Sequence, residues 1–263
     1  MFKQLFKYLY FRDFVGVMPT VSFERGTFLM KTRAELKQDA KDLLRGHWGR
    51  AILLVIIPLI LSWFSGSYQT HQANFYADMT NMNVHMSFWP FILSVLAWGI
   101  NLGVTYTFLD WIRNPKRTVN PGTDAFRVIG SAAIFGLLAM GIIASFIIGI
   151  GFVLAIIPGF IFALMFSQSV YVYKDLHDSD PQASIWSGVW TSLALSRQLM
   201  IGHKWEYFVM QLSFIGWWLL CGISLGIATL WVTPYYDATM AAYYDELEAT
   251  SNINIAFRDV NEP

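Results

Sequence analysis

Few residues in this chain could do chemistry, and most of them sit inside long apolar runs. Asp237 is the clearest. It lies well inside the apolar stretch 225–247. An ionised Asp at the centre of a bilayer costs about 2.5–3.5 kcal/mol on insertion scales, so it must face other helices or water. Pro234 lies three residues earlier and removes a backbone donor, leaving a carbonyl open beside the carboxylate. Together they read as a proton- or cation-linked site. The competing reading places Asp237 near the inner interface, solvated. Pro158 and Gly159 form a second candidate, an expected break near the outer end of a helix.

Other polar residues offer less. Asn101, Ser145, Ser167, Gln168 and Gln211 either line a polar path or serve as hydrogen-bond glue between helices. Gly99, Asn101 and Gly103 form a GxxxG arrangement suited to close helix packing. His71, Asp78 and His85 are spaced by seven, which suits metal capture on a helix and equally an ordinary solvated loop. Asp175, Asp178 and Asp180 lack the glycine and terminal Glu of a calcium loop, and read as a solvated turn and a helix cap. His47, Trp48, His203 and Trp205 recur at two predicted inner boundaries. There they would meet lipid headgroups with Arg50 and Lys204, or simply punctuate helix ends. No Gly-x-Ser-x-Gly, His-Glu-x-x-His or P-loop occurs. Cys221 is the only cysteine, so an intrachain disulfide is excluded. The expectation is a protein with no catalytic residue, no cofactor and no metal.

The elements that must position these residues are membrane helices. No Asp, Glu, Lys or Arg occurs from Val128 to Tyr173, long enough for two crossings of roughly 20 residues each. Charged residues make up only 14% of the chain, against about 25% in soluble domains. Net charge is zero, which gives no argument for nucleic acid. The predicted fold is all-α and polytopic: six transmembrane helices in three hairpins, with cytoplasmic amphipathic helices. The spans are expected near Arg50–Ser67, Phe88–Asp110, Val128–Ile148, Phe152–Tyr173, Lys204–Cys221 and Leu225–Leu247, with the central run turning at Gly149-Ile150-Gly151. A four-span alternative makes 128–173 a re-entrant pair.

Thr32-Arg33-Ala34-Glu35 is a capping box opening an amphipathic helix, expected on the membrane surface or packed on the bundle's end. A second cytoplasmic helix is expected to start at Asp180-Pro181. Leu44-Arg45-Gly46-His47-Trp48 resembles Ile201-Gly202-His203-Lys204-Trp205, a faint internal repeat. The six-span reading leaves all 18 Lys and Arg on one side, which the positive-inside rule makes cytoplasmic, both termini included. Trp48, Trp111 and Trp205 would form an inner aromatic belt, and Trp63, Trp89 and Trp217 an outer one. Residues 1–29 carry no span. They read either as an extension that is not translated, with the start at Met30 (codons for Glu24-Arg25-Gly26 can spell a ribosome-binding tract), or as a short amphipathic membrane-surface segment. Residues 30–248 form the membrane domain and 249–263 a polar cytoplasmic tail.

Met30-Lys-Thr-Arg-Ala-Glu-Leu-Lys, Gly46-His-Trp-Gly-Arg-Ala, Ile157-Pro-Gly, Ser196-Arg-Gln-Leu-Met-Ile-Gly-His-Lys-Trp and Pro234-Tyr-Tyr-Asp-Ala-Thr-Met-Ala-Ala-Tyr-Tyr-Asp occur in that order. These motifs resemble a bacterial integral-membrane family catalogued as domain of unknown function 975. The resemblance covers about Met30 to Glu248. It implies a multi-pass protein of the bacterial cell membrane and supplies no catalytic residue. Two function classes follow. One is a non-enzymatic accessory or organising protein that binds a membrane partner or itself. The other is a transporter or lipid-handling protein for a hydrophobic or small solute.

Overall fold

The computed structural model describes residues 30–76 and 89–251, with 65–76 and 89–91 described as backbone only. The extension 1–29, Asp78, His85 and most of the polar tail lie outside these residues. All regular structure among the described residues is helical: α1 (Arg33–Leu44), α2 (Trp48–Tyr76), α3 (Trp89–Arg113), α4 (Pro121–Asp124), α5 (Ala133–Leu154), α6 (Ile156–Met165), α7 (Ser169–Ser179), α8 (Ile185–Leu199), α9 (Lys204–Leu212), α10 (Ile215–Ile223) and α11 (Thr229–Thr250). Helix α2 runs on to Tyr76, past the polar residues where a loop was expected from Ser67.

Four stretches are long and apolar enough to cross a membrane: Ile92–Arg113, Ala133–Leu154, Ile156–Ser179 and Lys204–Ile223. A fifth arises if α1 is joined to Trp48–Phe64, but those two helices are bent by 98°. Six were expected, and α11 falls short. The reason is visible in its packing. Pro234, Ala238, Thr239, Ala241, Ala242, Tyr243, Tyr244 and Leu247 of α11 are buried against other helices. A helix screened from lipid by its neighbours does not need an apolar surface all round.

Helix α1 begins with the expected capping box: Thr32 and Glu35 satisfy each other's backbone N–H groups. Its apolar face, Leu36, Ala40, Leu43 and Leu44, is buried, and the helix packs on α11. Lys37 donates from Nζ to the Ser213 carbonyl at 3.3 Å, where the chain breaks between α9 and α10. So α1 docks on the bundle and offers no apolar face to a membrane surface.

The central hairpin turns at Ala155, whose extended backbone separates α5 from α6. The expected turn at 149–151 is therefore wrong. Gly151 instead lets the two helices touch: a Cβ there would lie 2.9 Å from the Gly159 Cα. Pro158 does not break a helix. It sits in the first turn of α6, where an N–H would have no intrahelical acceptor. Pro234 is inside α11, and the helix continues past it.

The repeat has a structural counterpart. Gly46 (φ 80°) and Gly202 (φ 88°) both adopt left-handed backbone, ending α1 and α8 just before the next helix starts. Such φ values favour glycine, which carries no Cβ to clash.

Candidate functional site

Two of the apolar stretches are interrupted near the middle by one tight turn, at 166–168 between α6 and α7 and at 213–214 between α9 and α10, where backbone N–H groups bond three residues back instead of four. Polar side chains near these turns make up a candidate polar thread. Gln168, 1% exposed, donates from Nε2 to Ser167 Oγ at 3.0 Å. Ser167 donates to the Leu164 carbonyl at 2.9 Å. Tyr207 of α9 lies near Ser167 and Gln211. Gln211 and the Tyr236 hydroxyl bond at 2.9 Å. Asp237 follows Tyr236 on α11.

The thread has too few donors. Gln168 Oε1 is buried and has no hydrogen-bond partner. Asp237 has no hydrogen-bond or ion-pair partner among the described residues, and it is half-buried rather than sealed. Each open acceptor, Gln168 Oε1 and the Asp237 carboxylate, would favour a donor: water, a proton or a small cation. Of the residues singled out in the sequence, Ser167 pairs with Gln168, and Gln211 pairs with Tyr236, the neighbour of Asp237. Pro234 lies one turn from Asp237, while Pro158 and Gly159 are at the opposite end of α6, packed on α5.

The GxxxG pattern works differently from expectation. A Cβ on Gly103 would collide with the Ala125 carbonyl, and one on Gly99 would meet Ile129 at 3.1 Å. Both glycines therefore receive the connection after α4, not a second long helix. Asn101 is exposed on another side of α3, and Ser145 is exposed on α5.

A second constellation, of ion pairs, was missed in the sequence. Arg113 binds Asp175 bidentately, at 2.6 and 3.0 Å, and also holds Asp245 at 3.0 Å and Glu248. Tyr244 donates to Asp175 at 2.6 Å while stacking on Tyr171 at 4.9 Å between ring centres. Lys174, whose side chain is 4% exposed, lies between Asp110 at 2.7 Å and Asp178 at 2.6 Å. Arg117 and Arg127 share the other Asp110 oxygen. This ionic clasp joins α3, α7, α11 and the α4 connection. Asp175 and Asp178 are thus structural ion-pair members and not a solvated turn. Asp180 ends α7 and accepts from the Gln182 N–H at 3.1 Å, so it does not cap α8, which starts at Ile185. Tyr171 stacks on Tyr244 within the clasp.

The candidate headgroup residues separate. His47 packs edge-on to Trp111 at 5.8 Å, and Trp111 is buried rather than in an aromatic belt. Trp48 is half-buried against the core. His203 contacts Glu206 at 2.9 Å. Trp205 is 72% exposed and does face outward. No group of metal-binding side chains converges among the described residues. Nothing matches the chain among curated proteins or among solved structures. Residues 128–251, which hold α5 to α11 and with them most of the clasp, match the model of the family described as Protein of unknown function (DUF975).

Proposed function

We propose that this chain is a multi-pass protein of the bacterial cell membrane, with both ends of the described bundle cytoplasmic, and that it handles a small or lipid-like solute without catalysing a reaction on it. One observation carries the reading: two apolar stretches are each interrupted by a tight turn, and the described bundle keeps an unpartnered Gln168 oxygen and an unpaired Asp237. Discontinuous helices are one way in which transporters build sites. On this reading α11 is the sixth crossing, run through the interior of the bundle. The structural features behind the accessory-protein reading weigh less, because they are used within the chain. The GxxxG face receives residues 125–129, and the α1 apolar face is covered by α11. Mass spectrometry of the protein gently extracted from its own membrane tests the proposal. A retained lipid or solute, lost in Asp237→Asn and Gln211→Leu, is the expected result. A stoichiometric protein partner with no retained small molecule would return the accessory role.

A further inference from the structure

Helix α8 falls in the long segment between two spans, where a water-exposed cytoplasmic helix is expected. Its packing points elsewhere. Ser196 Oγ donates to the Met165 carbonyl at 2.7 Å, and Met165 lies within the apolar stretch Ile156–Ser179. Val189 and Leu193 are buried in one cluster with Ala133, Leu137 and Met140, which belong to the apolar stretch of α5. Gly188 lies against the Tyr173 ring. So α8 runs back antiparallel to α7, alongside the inner halves of two candidate spans.

Its composition agrees with that depth. Between Asp180 and Lys204 the only charged residue is Arg197. The flank that no described helix covers carries Trp186 and Trp190, one turn apart, 60% and 56% exposed. Ile201 and Trp205, in the connection to α9 and at its start, are exposed as well, at 63% and 72%. The helices α8 packs on, α5 and α6, themselves expose large apolar side chains such as Phe135 and Phe160, which a bilayer would cover. Tryptophan is the residue type enriched at the membrane–water boundary, where its ring is apolar and its N–H reaches polar groups.

We infer that α8 is set into the inner leaflet as a re-entrant helix, with Trp186 and Trp190 in contact with lipid just below the headgroups. The experiment uses the full chain labelled with 5-fluorotryptophan in lipid nanodiscs. Trp186→Phe and Trp190→Phe assign the two fluorine signals and change only an exposed ring. Broadening of both signals by a lipid spin-labelled at acyl carbon five, with little broadening by an aqueous gadolinium chelate, is the expected outcome. The reverse pattern would place α8 in water and overturn the inference. Protection from both probes would mean that protein covers the flank, a second copy or a partner, and would overturn it equally.

Discussion

Arg113 sets one positive charge against three carboxylates, and two of them are on the helix that closes the core. Removing a partner from a buried ion pair leaves the remaining charges unpaired and costs about 3 kcal/mol or more. Arg113→Met should therefore lower the thermal unfolding midpoint in detergent markedly, while Arg113→Lys, which cannot bind bidentately, should fall between. Gly103→Ala should cost about 1–3 kcal/mol, because the new methyl meets the Ala125 backbone and not a side chain that can swing away. Gly216→Ala, with open space at its Cβ, is the matched control in the same unfolding assay. At the start of α1, the Thr32 backbone N–H holds the Glu35 carboxyl below the usual carboxylate range. A lowered folded-state value gives stability that is present at neutral pH and lost as pH falls through that lowered value. Amide protection factors across residues 36–44, corrected for the intrinsic exchange rate, should accordingly fall in acid, and in Thr32→Ala, which removes the hydroxyl's hydrogen bond to Glu35, that acid dependence should shrink.

Helix ends with left-handed glycines tie the repeat to a testable cost. At Gly46 and Gly202 a Cβ has room, so any loss in Gly202→Ala comes from backbone strain alone, about 1–2 kcal/mol by the penalty for left-handed backbone. The helices themselves were largely legible in the sequence. Span 5 was expected at Lys204–Cys221 and the apolar stretch is Lys204–Ile223; the Thr32 cap and the glycine stops stand where local pattern put them. Turns were less legible. Gly149 and Gly151 looked like a turn because glycine permits one, yet the chain turns at Ala155 in extended backbone that any residue adopts, and Gly151 serves close packing. The ionic clasp was not legible at all. Asp175 and Arg113 are 62 positions apart, and nothing local to either marks the other as its partner. The thread was half legible: Asp237 and the polar residues were visible singly, but the pairing of Gln211 with Tyr236 across two helices was not.

At the scale of the whole molecule the proposed threading puts the charges at one end and the apolar turns at the other. With Cys221→Ala as background, Lys116→Cys and Leu225→Cys should react with a membrane-impermeant thiol reagent from opposite sides; Leu225 is 93% exposed in the turn before α11. Labelling of both from the same side would remove the proposed threading. The central position of α11 also bears on how the protein is made. Helices are handed to the bilayer in the order of synthesis, and a segment as polar as α11 gains little by entering lipid alone. It has to be retained until its neighbours form a socket for it. Those neighbours include α1, the first described helix to leave the ribosome, tied to α11 through Lys31 and Glu246. On the proposed threading, α1 and the faces of α2 and α3 that pack on α11 wait without a covering until α11 emerges, which would leave the half-made chain with exposed core surface.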